Sequence, residues 1–126
     1  MTAQLIDGTA IAAQVRQETA DAVAKMKAEH DVVPGLATVL VGENPASKAY
    51  VGSKQRACEE LGMKSFGVKL PATASQEEVA KVVSDLNADP EVHGILVQLP
   101  LPRHLDEEAI LGAISLEKDV DGFHPV

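Results

Sequence analysis

The sequence predicts an α/β domain with three layers, α/β/α, around a mainly parallel sheet. Short apolar runs alternate with segments of helical periodicity along the chain, and strands and helices that alternate at this spacing form βαβ units with right-handed crossovers. The runs at 36–41 and 94–99 are almost entirely apolar, which is typical of parallel strands that are buried on both faces. With 126 residues, 45% of them hydrophobic, the chain can bury a core without disulfides.

Charge and composition exclude several classes of function. The net charge is −8 and no basic patch exists, so nucleic-acid binding is not expected. No apolar run approaches the ~18 residues of a membrane span, and the N-terminus lacks a signal peptide, so a cytoplasmic protein without membrane contact is predicted. The single Cys58 and four histidines without ligand spacing predict no metal site.

The first part of the chain predicts a strand, a helix and a second strand. Residues 3–6 favour a short strand, and apolar side chains then recur at helical spacing over about 9–29. The members of this stripe are Ile11, Val15, Ala22, Val23 and Met26, with Thr19 as the one polar residue. The buried strand at 36–41 ends at Gly42.

A second helix is expected over about 45–61. Asn44 and Pro45 suit its N-cap and first position, and Gly62 suits its C-terminal stop. Residues 64–70 then predict a strand that places its apolar side chains, Phe66, Val68 and Leu70, on one face.

The last part of the chain predicts helix, strand and helix. Ser75 opens a capping box, and the apolar stripe of the helix that follows ends before Asp89-Pro90. A strand is expected over 94–99 and a short helix over about 106–114. Ligands bind beyond the carboxyl ends of such strands, so the segments 42–54, 98–104 and 119–125 are the candidates for a site.

The helix over 45–61 carries a lysine and a tyrosine one turn apart on its predicted core-facing sector. That sector contains Ser47, Tyr50, Lys54, Ala57, Cys58 and Leu61. Lys54 either extends its ammonium to the edge for structural reasons or, partly removed from water, exchanges protons near neutral pH. Tyr50 is either a core aromatic or a stacking platform. Cys58 is expected to be a small core residue.

Two polar residues near strand or chain ends are further candidates. Gln98 is the one polar residue of an apolar strand, and its amide either caps the proline-rich turn or contacts a ligand or Lys54. Asp119 and Asp121 follow a loop, and alternation points both carboxylates the same way. Spacing alone favours solvated turn residues for this pair.

Several ordered blocks of the sequence resemble the bifunctional methylenetetrahydrofolate dehydrogenase/methenyltetrahydrofolate cyclohydrolase family. The blocks are PGLATVLVG at 34–42, NPAS at 44–47, Tyr50-x-x-x-Lys54, ACEELG at 57–62, GILVQLPLP at 94–102 and KDVDGFHP at 118–125. The similarity runs from Leu5 to the last residue in the family's order, with one departure at Thr9, where the family usually has lysine.

This resemblance implies roles for individual residues. Lys54 would be the catalytic lysine of the cyclohydrolase step, and Gln98 would hydrogen-bond and tune it. Tyr50 would stack on the folate, Asp121 would bind the amino-pyrimidine edge of the pterin, and Pro100 would contact the substrate. The implied catalytic set is therefore Lys54, Tyr50 and Gln98, with Tyr50, Gln98, Pro100 and Asp121 binding substrate.

The resemblance also implies the place of this chain in a larger enzyme of one-carbon metabolism and purine biosynthesis. Residues 1–126 would form the folate-binding catalytic domain, and 119–126 would begin the connection to a Rossmann domain that binds NADP or NAD. A lone fragment would lack dehydrogenase activity and be monomeric, whereas the parent enzyme would be a homodimer. The alternatives are the substrate domain of a shikimate or amino-acid dehydrogenase and a non-catalytic α/β binding domain.

Overall fold

Three parallel strands and four α-helices make up the computed structural model, which describes residues 2–124. The strands are β1 (Gly35–Val41), β2 (Lys64–Leu70) and β3 (Gly94–Val97), and they pair in the order β2-β1-β3. The helices are α1 (Gly8–His30), α2 (Pro45–Glu60), α3 (Gln76–Ala88) and α4 (Glu107–Ala113), followed by a 3-10 helix over Leu116–Lys118. The predicted α/β class with a parallel sheet is confirmed.

Alternate residues of β1 face two different helical layers. Ala37 and Val39 are fully buried in the main core, with β3 beside them and α3 and α4 above. Thr38, between them, faces α2 and accepts a hydrogen bond from the Gln55 side chain, with 3.3 Å between Gln55 Nε2 and Thr38 Oγ1. Helices therefore cover both faces of β1, which explains why its sequence is apolar at nearly every position.

The helix starts that local sequence predicts are present. Side chains of the four N-cap residues each accept a backbone N–H three positions later, which satisfies one free donor of each first turn. These caps are Asp7, Asn44, Ser75 and Asp106. Gly62 adopts φ 83° just after α2, so the predicted C-terminal stop uses a conformation that glycine adopts without strain.

The predicted strand at 3–6 is wrong. Residues 2–7 are irregular, with Leu5 98% and Ile6 89% exposed, and Asp7 serves as the N-cap of α1. A strand needs a neighbour for its backbone hydrogen bonds, and the part of the chain that the structure describes places none beside these residues. Apolar character alone therefore misidentified this segment.

Helix α1 forms as predicted, but its apolar stripe is mostly uncovered. Val23 is the buried residue of the helix, while Ile11, Val15 and Met26 are 51%, 54% and 39% exposed. Only the C-terminal half of α1 therefore rests on the rest of the described chain, near the turn at Gly62.

Three further differences concern segment ends. The strand predicted over 94–99 stops at Val97, although the backbone N–H of Gln98 still donates to Val39 O at 2.9 Å, and Pro100 beyond it has no N–H to continue a ladder. The 3-10 helix was not predicted. The predicted connecting segment 119–126 extends beyond the described residues at 125 and 126.

No helix within residues 2–124 has the length and apolarity that crossing a bilayer requires.

Candidate active site

A cavity of about 220 Å³ opens at the carboxyl edge of the sheet, where β3 ends. Its lining residues are Lys54, Leu96, Val97, Gln98, Leu99, Asp121 and Phe123. Three of the predicted site residues, Lys54, Gln98 and Asp121, thus come together from α2, the end of β3 and the turn after the 3-10 helix. Their sequence separation is bridged by the parallel topology, which gathers strand ends at one edge.

Lys54 and Gln98 are in direct contact. The Lys54 ammonium donates to Gln98 Oε1, with Nζ and Oε1 2.9 Å apart, and both side chains are half-buried. Lys54 lies between the buried residues Val51 and Cys58 along α2, and its side chain lines the cavity. Gln98 thus makes both of the contacts that the sequence left open, one to Lys54 and one to the backbone of the proline-rich turn.

The amide of Gln98 is oriented at both ends. Its Nε2 donates to the Leu99 carbonyl at 3.1 Å, which leaves Oε1 to accept from Lys54. The same carbonyl lies 3.5 Å from the hydroxyl of Ser47, a buried residue in the first turn of α2. Since an amide has one acceptor end and one donor end, the Leu99 carbonyl fixes which end faces the lysine.

Asp121 supplies a carboxylate on the open side of the cavity. It is exposed and belongs to an irregular turn, and Phe123 lines the same cavity two residues later. The arrangement sets one ammonium and one carboxylate around an opening with apolar walls from Leu99 and Phe123. Such a site can bind a planar, polar-edged ring and exchange a proton with it.

Tyr50 and Pro100 lie outside this cavity. Tyr50 is 60% exposed, one turn before Lys54 on α2, so its predicted core-facing position is wrong. Val51, which is 3% exposed, occupies that position instead, because the buried face of α2 passes through residues 47, 51 and 58. The buried face of α2 is therefore rotated by about half a residue step from the predicted sector, of which Ser47 and Cys58 are buried as expected.

Pro100 lines a second depression of about 260 Å³ at the same edge. Its other lining residues are Val41, Gly42, Glu43, Asn44, Ala72, Leu101 and Pro102. Leu99 lines the first cavity and Pro100 the second, so the two depressions are adjacent along the chain. A larger hollow of about 470 Å³ lies against the first turns of α1, at Gly8, Thr9, Ala12, Ala13 and Arg16, and is remote from these groups in sequence.

Leu99 and Phe123 lie within the candidate segments 98–104 and 119–125, but the sequence analysis singled out neither as a lining residue. Phe123 is one of only two phenylalanines in the chain and directly follows the Asp-Val-Asp-Gly segment, which is a signal that could have identified it. Among residues 2–124 no group of three or more histidine, cysteine or acidic side chains could hold a metal ion.

A parallel α/β domain with a lysine–amide pair and a carboxylate at its carboxyl edge is built like the small-molecule-binding domains of the open-sheet α/β class. The sequence profile described as "Tetrahydrofolate dehydrogenase/cyclohydrolase, catalytic domain" matches residues 6–121. The chain belongs to this family.

Relatives and solved structures agree with the assignment. The bifunctional protein FolD of Moorella thermoacetica is 58% identical over 125 residues, which cover 99% of this chain and 44% of that protein. FolD 2 of Arabidopsis thaliana is 54% identical, with 99% and 42% covered. The crystal structure of the Campylobacter jejuni bifunctional enzyme superposes with a TM-score of 0.94 at 46% identity, covering 97% of this chain and 43% of that one.

A further relative carries ligands. The Trypanosoma brucei enzyme, solved with NADP cofactor and an inhibitor, has a TM-score of 0.89 at 39% identity and covers 94% and 41% of the two chains. This chain therefore spans less than half the length of the relatives that it matches.

Proposed function

We propose that this chain is the folate-binding catalytic domain of a bifunctional enzyme. The enzyme oxidises 5,10-methylenetetrahydrofolate with NADP and hydrolyses 5,10-methenyltetrahydrofolate to 10-formyltetrahydrofolate. The observation that carries the proposal is the 2.9 Å contact between Lys54 and Gln98 in a cavity that Asp121 also lines. Family membership supplies the reaction class that suits these groups.

The folate is held from two sides in this proposal. The Asp121 carboxylate accepts two hydrogen bonds from the 2-amino-pyrimidine edge of the pterin, because a carboxylate matches two parallel N–H donors. Phe123 and Leu99, on the cavity wall, contact the ring system. Tyr50, exposed on α2 one turn before Lys54, stacks on the substrate where it extends beyond the cavity, and Pro100 contacts it further along.

Lys54 serves the cyclohydrolase step as the group that moves protons. Water adds to the cationic methenyl carbon and forms the new C–O bond, and the amine form of Lys54 takes the proton that the water loses. The hydroxyl of this adduct then loses its proton and its oxygen forms the C=O bond as the bond from the carbon to N5 breaks; N5 takes up a proton in exchange, and the formyl group stays on N10. Gln98 Oε1 accepts one N–H of Lys54 throughout, so the nitrogen stays directed at the reacting carbon.

NADP does not fit the residues of this chain. The sequence contains no GxGxxG turn, and the loop from β1 to α2 carries Glu43, where a pyrophosphate would sit in a dinucleotide fold. Glu43 pairs with Lys48, whose hydrogen bond and charge lower the pKa of the Glu43 carboxyl, so the Lys48 ammonium is engaged by this loop. We propose that a separate Rossmann domain binds NADP and that this domain's residues contribute to hydride transfer by orienting the folate.

The wider setting follows the family. We propose that the enzyme acts in cytoplasmic one-carbon metabolism that feeds purine biosynthesis, and that the full-length enzyme is a homodimer. Sedimentation of the full-length protein measures the homodimer directly. A monomeric full-length enzyme would contradict that part of the proposal.

Titration of the 126-residue chain with 5-formyltetrahydrofolate tests the function. We expect saturable chemical-shift changes at the cavity residues Lys54, Gln98, Asp121 and Phe123. Shikimate and free amino acids, added separately, are expected to leave these signals in place. Binding of shikimate or an amino acid without folate binding would assign the chain to another two-domain dehydrogenase, and no binding of any of them would favour a non-catalytic domain.

A further inference from the structure

The segment that carries Asp121 has no regular secondary structure. After the single bridge residue Asp119, residues 120–124 run as bends and irregular chain, yet Asp121 and Phe123 both line the cavity. A site residue on such a segment needs something to hold the backbone in place, because each unfixed residue costs conformational entropy when a ligand orders it.

The carboxylate of Asp119 provides that hold. Its Oδ1 accepts the backbone N–H of Gly122 at 3.1 Å, and its Oδ2 accepts the backbone N–H of His124 at 2.9 Å. Both oxygens are thus used within the same short segment and close it into a turn around Asp121. Hydrogen bonds to an ionised acceptor are stronger than those between neutral groups, and short aspartate side chains commonly close turns in this way.

The base of the turn is fixed independently. The backbone of Asp119 forms a parallel bridge with Ile95 of β3. The preceding residue, Lys118, donates from Nζ to three carbonyls at the end of α3, those of Leu86, Asn87 and Asp89, at 3.2, 2.8 and 2.9 Å. These contacts fix the start of the turn to β3 and α3. The Asp119 side chain then restricts the conformational freedom of the residues that follow.

We infer that Asp119 is a positioning residue whose carboxylate aims Asp121 at the pterin edge of the folate. The inference rests on the proposed function, because it gives Asp121 the ligand that the function assigns to it. Asp119 itself has both oxygens committed to backbone donors and is only half exposed. The two acidic residues of the Asp-Val-Asp segment therefore have different tasks, although spacing alone made them equivalent.

The variant Asp119→Asn tests the inference with minimal change of shape. An amide has one acceptor oxygen, so one of the two N–H groups loses its partner and faces another donor. We expect the affinity for 5-formyltetrahydrofolate to fall about tenfold. Asp85→Asn, an identical change at an exposed residue that pairs with Lys81 on α3, is the matched control and is expected to bind like the wild type.

A double-mutant cycle separates positioning from general structure. If Asp119 acts through Asp121, Asp119→Asn weakens binding about tenfold in the wild type but less than about twofold in an Asp121→Asn background. An equal loss in both backgrounds would show that Asp119 acts on the fold in general and would overturn the inference.

Amide hydrogen exchange provides a readout that needs no ligand. In Asp119→Asn we expect the exchange of Gly122 and His124 to accelerate about tenfold or more, since their acceptor is weakened, while amides of α3 keep their wild-type rates. Unchanged exchange at both residues would also overturn the inference. If the wild type fails to bind 5-formyltetrahydrofolate, the proposed function fails, and the exchange measurement still decides whether Asp119 holds the turn.

Discussion

At the residue scale, Lys54 can be tested without disturbing its packing. Lys54→Met keeps the apolar stem on α2 and removes the nitrogen that contacts Gln98. We expect hydrolysis of 5,10-methenyltetrahydrofolate to be lost and folate binding to stay within a few-fold of the wild type, because the change removes the proton carrier alone. The assay is run on this domain joined to the rest of a full-length relative.

The control for Lys54→Met is Lys48→Met on the same helix. Lys48 is exposed and pairs with Glu43, so its loss should leave hydrolysis unchanged. Normal hydrolysis by Lys54→Met would mean that the lysine has a structural role only.

Cys58 gives a prediction about pH. Burial in α2, assisted by the charge of Glu59, raises the pKa of its thiol above the ordinary value. The folded state thus holds this proton more tightly than the unfolded state, so the thiol favours folding at neutral pH, and that contribution is lost as the pH rises above about 8.5. Iodoacetamide at pH 8 should modify the folded chain at least about tenfold more slowly than the urea-unfolded chain. Equal rates would contradict the buried position.

Individual site residues were predictable to different degrees. Polar residues in apolar surroundings indicated Lys54 and Gln98, and the structure brings the two into contact. Tyr50 was misplaced because a periodic stripe on a short helix does not fix its phase, and the small β-branched Val51 packs against the sheet instead. The catalytic roles of these residues stay predictions.

At the scale of elements, Lys118 joins the 3-10 helix to the end of α3. Lys118→Met removes an ammonium that contacts three helix-end carbonyls. We expect the free energy of unfolding to fall by about 1–3 kcal/mol, because charged donors to carbonyls near a helix C-terminus are stronger than neutral ones. Urea denaturation measures the change.

Lys81→Met is the matched control for Lys118→Met. Lys81 forms an exposed pair with Asp85 one turn away, and such pairs contribute about 0.5 kcal/mol or less. Similar losses in both variants would show that the contacts of Lys118 add nothing specific.

Two glycines should respond in opposite ways to alanine. A Cβ at Gly35, where β1 begins, would lie 2.2 Å from the backbone oxygen of Glu91, so Gly35→Ala should destabilise by about 3 kcal/mol or more or prevent folding. A Cβ at Gly112 meets nothing within 4 Å, so Gly112→Ala should stabilise α4 by about 0.5–1 kcal/mol. Thermal unfolding measures the stability of both variants. A Gly35→Ala variant as stable as the wild type would argue against the close approach of the Glu91 backbone to the start of β1.

Elements with local signals were predictable, and those that depend on distant partners were not. Asn44, Ser75 and Asp106 mark helix starts by hydrogen bonds within one turn, so the sequence beside each one suffices. A strand at 3–6 would have required a pairing partner that no local pattern reveals. The turn closed by Asp119 likewise depends on contacts that spacing does not show.

At the scale of the whole molecule, α1 is unevenly supported. Its buried residue is Val23, and the apolar side chains of its first half are exposed. A helical stretch shorter than about 12–15 residues is marginal without tertiary support, and the uncovered first half of α1 is of this length, so amides over 9–18 should exchange much faster than those of α3 in the 126-residue chain. Exchange measured by NMR under one condition compares the two helices directly, and equal protection would contradict the expectation.

The class of fold followed from the sequence, because buried strands and amphipathic helices have different periods. The strand order β2-β1-β3 was not assigned beforehand. The arrangement of the site was less predictable from the sequence than the fold, because the contact between Lys54 and Gln98 joins residues 44 positions apart. Periodicity describes neighbours in sequence and carries no information on such a pair.

The bridge between Asp119 and Ile95 also bears on solubility. The rim of an open sheet invites strands from other molecules, which leads to polymerisation. The turn at 119–124 occupies part of this rim beside β3, and on the opposite rim β2 exposes Lys69 and Lys64, the latter paired with Glu91, charged side chains of the kind that protect strand edges. The turn that carries Asp121 on the cavity wall thereby also shields this edge of the sheet, which disfavours edge-to-edge aggregation.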